Sequence, residues 1–186
     1  MDLAAALLRE LRDYRPADAL ELQHCRALLD LLRGGDSVFA RAYFAPGHIT
    51  ASCFIVDERA RLLLHHHKRL RRWLQMGGHV DPGEEPQAAA LREGREESGL
   101  TDLELLGDGI LDVDVHLIPA AKGEPDHRHF DVRYLARTRM PHSITMAHDE
   151  SNALTWFDLD RASAAMNEEG SARVIQKIAM LLGVRS

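Results

Sequence analysis

Two segments of strict period-two alternation constrain the fold of this 186-residue chain more than any other feature. In residues 111–117, and again in residues 129–134, apolar side chains alternate with aspartate, histidine or arginine. Because successive side chains of a β-strand point to opposite faces, each segment predicts a strand with one buried and one polar face. The short loop between them favours antiparallel pairing, which would gather the polar residues on one sheet face. These residues are Asp112, Asp114, His116, His127, His129, Asp131 and Arg133.

The rest of the chain predicts helices and strands in irregular order. Residues 86–98 predict a helix because Pro86 lies in the first turn and Gly99 follows the end. A last amphipathic helix is expected to be capped by Ser171. Further strands are expected at residues 49–56, 62–66, 73–75 and 153–157. This order of elements favours an α/β fold with a mixed sheet.

Length and composition indicate one globular domain with an extension. The chain is 45% hydrophobic and 28% charged, which is typical of a folded globular protein. Residues 1–36 contain two amphipathic helices, and we predict that they pack on the main domain as an N-terminal helical extension. A homodimer interface is the alternative use of these helices. The main domain is expected to span residues 37–186.

Charge and hydropathy exclude several classes of partner. The formal net charge is −6 and no block of basic residues makes a nucleic-acid footprint, which argues against binding to duplex nucleic acid. The apolar run at residues 49–56 is far short of the ~20 residues that span a bilayer, so we expect no membrane partner. The two cysteines, Cys25 and Cys53, predict buried thiols in a reducing compartment, and a cytoplasmic protein is therefore expected.

Three carboxylates share one stripe of the helix predicted at residues 86–98. Glu93, Glu96 and Glu97 lie at i, i+3 and i+4, so they project from one side of a helix with about 3.6 residues per turn. Like charges at these spacings repel one another, and a hard cation such as Mg²⁺ or Mn²⁺ would offset the repulsion. Arg92 is close enough in sequence to orient the cluster. A solvated helix with ordinary ion pairs is the alternative.

The spacing around these carboxylates resembles the Nudix box of the Nudix hydrolases. All seven identities of that motif are present, together with the apolar residue that ends it. They are Gly78, Glu84, Arg92, Glu93, Glu96, Glu97 and Gly99, followed by Leu100. A chance match of this kind has a probability on the order of 10⁻⁹ to 10⁻⁸ per starting point. One departure is Gly94, where the family usually has an aliphatic residue, and we interpret it as a packing variation.

The resemblance extends over residues 45–183 and implies a fold and a reaction. The fold would be the αβα sandwich of that family. The reaction would be Mg²⁺-dependent or Mn²⁺-dependent hydrolysis of a nucleoside diphosphate linked to another moiety. Metal ions suit this chemistry because they activate water and neutralise charge on the phosphate oxygens.

The resemblance also implies roles for individual residues. Glu93 and Glu97 are expected to bind the metal, and Glu96 to bind or assist a further ion. Arg92 is expected to hold these glutamates in place, and the carbonyl of Gly77 to act as a backbone ligand. A simple tight turn is the alternative for the glycine pair.

Many members of the family take one more acid from a loop outside the box. The candidates are Glu150, six residues before Trp156, and Asp149. An acid shortly before a Trp-Phe pair is similar to the usual arrangement in the family, which favours Glu150 as a catalytic residue. A plain polar loop is the remaining alternative.

Histidine is unusually frequent, with 11 residues, which either supply metal ligands or add positive charge below pH ~6.5. Three consecutive histidines at residues 65–67 cannot direct all their rings one way on a strand and make a poor metal site. We expect His67 to border the substrate, beside a basic cluster that attracts phosphate. His116, His129 and Arg133 are expected to bind substrate from the polar face of the alternating strands. In both places solvent-exposed surface is the alternative.

The residues leave the substrate and one alternative function open. ADP-ribose or a nucleotide sugar, a nucleoside triphosphate, and a choline-type or coenzyme-type diphosphate all agree with the motif. Pro119 lies near the place where ADP-ribose members tend to have a proline, but not clearly at it. No tyrosine lies where it would suggest a dinucleoside polyphosphate. A non-catalytic nucleotide-binding or sensor domain is the alternative, although such a domain would be expected to lose a box carboxylate and none is missing.

Overall fold

The computed structural model describes residues 2–121, 123–146 and 151–184. Within these ranges eight strands form one mixed sheet. They are β1 Gly47–Val56, β2 Leu62–His67, β3 Arg72–Leu74, β4 Met76–His79, β5 Glu104–Leu106, β6 Asp112–Ile118, β7 His127–Arg137 and β8 Ser151–Phe157. The main path of the sheet is β3-β2-β1-β7-β5, while β4 pairs with β1, β6 with β7 and β8 with β2. β1 and β7 are parallel in the centre, and the surrounding pairs are antiparallel.

Helices surround the sheet on two sides. They are α1 Leu3–Asp13, α2 Ala19–Leu31, α3 Pro86–Ser98, α4 Leu159–Met166 and α5 Ser171–Leu182, with a 3₁₀ segment at Leu32–Phe39. The helix α3 has the bounds that the sequence predicts, because Pro86 starts it and Gly99 ends it in the left-handed conformation with φ 72°. The predicted cap of α5 is wrong: Ser171 is its first helical residue, and its hydroxyl donates to the carbonyl of Glu168 at 2.8 Å.

The two sheet faces pack against different helices and form the αβα layers. Alternate residues of β1 from Ile49 to Ile55 share one core with α1, α2 and α3. Phe54 and Val56 lie on the opposite face, in a second core with α4 and α5. Because side chains two apart share a face, His48, Thr50 and Ser52 continue that second face as a polar surface. The sheet therefore offers a polar recess beside an apolar core.

The hairpin of β6 and β7 has the antiparallel pairing that the alternation predicts. Val113 pairs with Val132, Asp114 with Asp131 and His116 with His129. The apolar side chains Val113, Phe130 and Val132 belong to the first core, so the polar residues of both strands share the other face. Leu117 departs from the pattern, because it lies near the end of β6 and is 61% exposed.

The N-terminal helices pack on the sheet through apolar and ionic contacts. Leu7 and Leu28 are fully buried in the first core. Glu21 of α2 is also fully buried, and both Tyr14 and Lys177 of α5 donate to its carboxylate. The 3₁₀ segment crosses the boundary expected between residues 36 and 37, and the division of the chain at that point stays a prediction.

Two further features of the described residues concern the cysteines and the membrane. Cys25 and Cys53 are buried free thiols, as the sequence predicts. Among residues 2–121, 123–146 and 151–184, no helix combines the length and the apolar character needed to cross a membrane.

Candidate active site

A cleft with a volume of about 280 Å³ opens on the polar part of the sheet, beside α3. Strands β1, β2, β4, β6 and β7 contribute side chains to its walls. Six of the residues proposed from the sequence line it: Gly77, Glu93, Glu97, His67, His116 and His129. Arg92 and Arg133 lie next to this lining and contact its carboxylates Glu93 and Asp131 directly. Glu96 is joined to the lining through Arg92. The structure thus brings the helix carboxylates and the strand histidines to one recess.

The two glycines of β4 let the carboxylates of α3 approach the sheet closely. A Cβ atom on Gly78 would lie 2.5 Å from Oε1 of Glu93, so the carboxylate would have to move from its position. The backbone N–H of Gly77 donates to Oε2 of Glu97 at 3.3 Å. Glycine at position 78 therefore leaves the space that the Glu93 carboxylate occupies, and glycine at position 77 lets β4 lie close to β1.

Arg92 holds the carboxylates in a fixed arrangement. Its guanidinium donates to Glu84 through Nε at 3.0 Å and Nη2 at 2.9 Å, and to Glu93 through Nη1 at 2.9 Å. The same Nη1 lies 3.2 Å from Glu96, and Nη2 donates to the carbonyl of His79 at 2.9 Å. Burial would raise the pKa of Glu84, but the hydrogen bonds from Arg92 and from the backbone of Asp81, with the charge of Arg92, together hold that pKa below its ordinary value.

The donor set of this arrangement fits a hard divalent cation. The guanidinium of Arg92 carries one positive charge, whereas the three glutamates that it bonds carry three negative charges. Glu97 is 4% exposed and the Glu93 side chain is 16% exposed, so both carboxylates are largely withdrawn from water. The Glu96 side chain is 58% exposed and lies outside the recess. Partly buried carboxylate oxygens with excess negative charge are the ligands that Mg²⁺ and Mn²⁺ favour.

Arg133 lies beneath the cleft rather than in it, unlike the substrate-binding residue that the sequence suggests. It is 2% exposed, and its guanidinium contacts Asp112 at 3.3 Å, Asp114 at 3.1 Å and Asp131 at 2.9 Å. Burial would raise the pKa of Asp114, but Arg133 together with His116 and His24 outweighs it and lowers that pKa. Asp131 in turn accepts a hydrogen bond from the hydroxyl of Ser52 at 2.8 Å. Arg133 therefore supports the wall of the cleft from below.

Consecutive histidines of β2 point to opposite sides of the sheet, as alternation along a strand requires. His67 lines the cleft, and its Nδ1 accepts from the backbone N–H groups of Arg69 and Leu70, both at 3.2 Å. His66 points away and packs its ring 5.3 Å from that of Trp73. Arg69 also lines the cleft, so one cation of the basic cluster is available to phosphate there.

The predicted remote acid lies outside the described residues. Both Glu150 and Asp149 fall between residues 146 and 151, just before β8. At the start of β8, the Ser151 hydroxyl lies 2.7 Å from Nδ1 of His65, a buried residue that lines the cleft. The identity of the remote acid stays a prediction.

Sequence reasoning missed part of the cleft wall on β1. Thr50 and Ser52 line the recess, and His48 lies on the same face of the strand. A signal was available, since these three polar residues alternate with Ile49 and Ala51. The apolar run at residues 49–56 concealed it, because that run is buried on both faces.

Comparisons with known proteins agree with this arrangement. Residues 46–178 match the family model of the NUDIX domain. A bis(5'-nucleosyl)-tetraphosphatase [asymmetrical] of Caenorhabditis elegans is 31% identical over 113 residues, which are 59% of this chain and 75% of that protein. The crystal structure of a C. elegans Ap4A hydrolase binary complex superposes with a TM-score of 0.60 at 25% identity, covering 73% of this chain and 97% of the other. A NUDIX-family hydrolase from Clostridium perfringens gives a TM-score of 0.57 at 26% identity, covering 72% and 97%.

Proposed function

Because this chain belongs to the Nudix hydrolase family, we propose that it cleaves a phosphoanhydride bond of a nucleoside diphosphate linked to another moiety, with Mg²⁺ or Mn²⁺ as cofactor. One observation carries the proposal: Glu93 and Glu97 converge on the glycine pair of β4 within one cleft. A small-molecule nucleotide as substrate is supported by the similarity to the C. elegans bis(5'-nucleosyl)-tetraphosphatase.

Each residue of α3 has a distinct part in this proposal. Glu93 and Glu97 would hold the cation, together with the carbonyl of Gly77. Arg92 positions the carboxylates through its bonds to Glu84 and Glu93. When bound, the divalent ion supplies charge neutralisation on the phosphate oxygens and lowers the pKa of a water molecule. The exposed carboxylate of Glu96 is available to a further ion that arrives with the substrate.

The opposite wall of the cleft would bind the substrate. His67, His116 and His129 all line it, and Arg69 adds positive charge that attracts phosphate. Arg133 is assigned a positioning role, because its guanidinium is already paired with buried carboxylates. The cytoplasmic location is part of the proposal and is supported by the two buried free thiols. A homodimer through the N-terminal helices is not required by it.

Two substrate classes deserve the first assays. The C. elegans relatives favour a dinucleoside polyphosphate, even though no tyrosine lies in the region where it would suggest that substrate. ADP-ribose and nucleotide sugars form the second class, which also agrees with the motif. Both present a nucleoside diphosphate joined to a second group, so the same carboxylates would serve either.

A substrate screen with one buried-carboxylate variant tests the function. The purified protein would be assayed with ADP-ribose, a nucleotide sugar, ATP and diadenosine tetraphosphate, each with Mg²⁺, Mn²⁺ or excess chelator. We expect hydrolysis of at least one compound, loss of the rate in chelator, and a fall of at least ~10²-fold in Glu97→Gln. Products would be quantified by ion-exchange chromatography.

A surface carboxylate provides the matched control. Glu104 is exposed on β5, where it pairs with Arg139, and Glu104→Gln should hydrolyse at the wild-type rate. A folded Glu97→Gln protein with an unchanged rate would remove these carboxylates from the mechanism. Nucleotide binding without hydrolysis of any compound would support the sensor alternative instead.

A further inference from the structure

Three histidines from three neighbouring strands converge at the end of the cleft. His48 of β1 pairs with His129 of the parallel strand β7. His79 of β4 pairs with Thr50, which lies two residues after His48 and therefore on the same face. None of the three belongs to the carboxylate cluster of α3. The sheet thus gathers three imidazoles that are far apart in the sequence.

The three rings are close enough for their nitrogens to share one ion. One ring nitrogen from each of His48, His79 and His129 lies within 4.8 Å of the other two. The ring centroids are 4.8 Å apart for His48 and His129, 5.1 Å for His48 and His79, and 5.4 Å for His79 and His129. A tetrahedral zinc site requires ligand nitrogens about 3.4 Å apart. Small rotations of the partly exposed His79 and His129 side chains would bring the ring nitrogens to that distance.

His48 gives an independent reason to expect a ligand at this point. Its side chain is fully buried, and neither ring nitrogen has a hydrogen-bond partner of normal geometry among the described residues. A buried polar nitrogen without a partner is unfavourable, and such groups normally face water or an ion. A cation among the three rings would satisfy a lone pair of His48.

His127 holds His129 in position. Nδ1 of His127 lies 2.9 Å from the carbonyl of Pro125, which can only accept, so this nitrogen donates. In the neutral ring, Nε2 of His127 is then an acceptor, and it lies 3.3 Å from Nε2 of His129. The contact assigns the proton of His129 to Nε2 and leaves its Nδ1 with a free lone pair. Metal-binding histidines are commonly oriented by a partner of this kind.

We propose that His48, His79 and His129 bind a transition-metal ion of the Zn²⁺ class, at a site separate from the carboxylates that would hold Mg²⁺. Imidazole nitrogens select Zn²⁺ and its neighbours over Mg²⁺, which prefers oxygen ligands. Three protein ligands leave a fourth position open, as in zinc sites that bind a water molecule or a substrate group. His79 and His129 line the cleft, so that position faces the space where the phosphates of a substrate would lie.

Zinc affinity of the untagged full chain tests the proposal. The protein would be stripped with chelator, and Zn²⁺ would be titrated against a chromophoric chelator in excess Mg²⁺, which occupies the carboxylates. We expect one equivalent of Zn²⁺, with affinity reduced in His79→Asn and in His129→Asn by more than the ~10-fold to 100-fold that loss of an orienting partner costs. The exposed His142 is the matched control, and His142→Asn should bind as the wild type does.

Two further measurements distinguish a histidine site from zinc binding by the carboxylates. Co²⁺ in place of Zn²⁺ should give the visible absorption of a four-coordinate site in the wild type and lose it in His79→Asn, whose folding is checked by circular dichroism. The double variant Glu93→Gln/Glu97→Gln should retain zinc binding, which separates this proposal from the proposed hydrolysis. Unchanged affinity in both histidine variants, absence of a stoichiometric site, or loss of zinc only in the glutamate variant would overturn it.

Discussion

Gly77 and Gly78 are adjacent on β4, yet an alanine at each position would meet a different obstacle. A Cβ on Gly77 would lie 2.8 Å from the carbonyl of Ala51 and 2.9 Å from Cα of Ser52, both backbone atoms of β1. A Cβ on Gly78 would meet the carboxylate of Glu93, the far end of a flexible side chain. We therefore expect Gly77→Ala to lower the free energy of unfolding. Gly78→Ala should instead fold normally and lower the metal-dependent rate at least ~10-fold.

Chemical denaturation and initial rates, measured on both glycine variants, check this contrast. Adding Gly78→Ala to Glu93→Gln should cost little more than Glu93→Gln alone, because the displaced carboxylate is then already neutral. Equal losses of stability in the two glycine variants would show that Gly78 is required by the strand and not by Glu93.

The remote acid is a second prediction at the scale of single residues. General-base catalysis contributes ~10² to 10⁴-fold, so Glu150→Gln should lower kcat within that range while Asp149→Asn changes it much less. The pH profile of kcat distinguishes a base from a ligand, since loss of the base removes the acidic limb. The reverse ranking of the two variants would transfer the role to Asp149.

The sequence predicts which residues form the carboxylate cluster, but it does not predict how deeply other residues are buried. The positions of Glu93, Glu97 and Arg92 follow from spacing along one helix, which is a local property. The burial of Arg133 depends on Asp112 and Asp114, which arrive from another strand, so its removal from the cleft is a tertiary effect. His48 shares its strand with a buried apolar run, and only the pairing with β7 shows which face it occupies.

The helix α3 departs from its family at Gly94, and the structure gives the reason. A Cβ there would lie 3.0 Å from Cδ1 of Leu103 and 3.2 Å from Sγ of Cys53, so neighbouring side chains already fill the space. Gly94→Ala gains up to ~1 kcal/mol of helix propensity but crowds this contact. We expect the substitution to be more favourable in a Cys53→Ala background, with a coupling energy of at least ~0.5 kcal/mol.

Urea denaturation of the two single variants and the double variant measures that coupling. Substitution of the exposed Ala164, on α4, leaves this contact intact, so Ala164→Gly should combine additively with Gly94→Ala. Additive effects of Gly94→Ala and Cys53→Ala would mean that Leu103 alone limits the space.

Elements with a strong period were predicted correctly, and short ones were missed. The hairpin of β6 and β7 and the helix α3 both follow from their patterns. The strand β5 has three residues, too few to display alternation. The eight-residue helix α4 was also missed, because its alanines give a weak apolar stripe. A single strand was expected near Trp73, whereas β3 and β4 are separated at Gln75 and pair with different neighbours.

At the scale of the whole molecule, Asp112 of β6 joins the sheet to the helix α5. Its buried carboxylate contacts Arg173 at 2.9 Å and Lys177 at 3.0 Å from α5, and Arg133 at 3.3 Å from β7. Removing this charge leaves buried cations without their partner, so we expect Asp112→Asn to lower the free energy of unfolding by ~3 to 5 kcal/mol. Asp30→Asn is the matched control, because the exposed pair of Asp30 and Arg33 contributes at most ~1 kcal/mol.

The same carboxylate gives the stability a defined pH dependence. Burial would raise the pKa of Asp112, but the Arg173 hydrogen bond and the nearby cations outweigh it and hold that pKa below 3.8. The unfolded chain therefore takes up this proton at a higher pH than the folded chain does. As the pH falls below about 4, wild-type stability should decrease more steeply than that of Asp112→Asn, by up to ~1.4 kcal/mol per pH unit. Parallel slopes in urea titrations would contradict this.

The parallel pairing of β1 with β7 also affects how the chain is made. Their ten paired positions begin with Gly47 and Arg128, which are 81 residues apart, and every residue of β1 is buried in the finished fold. At a synthesis rate of ~5 to 20 residues per second, β1 leaves the ribosome roughly 4 to 16 s before its central partner. The helices α1 and α2 are synthesised earlier and share the first core with β1. They are the surface that can shelter this strand on the nascent chain until β7 arrives.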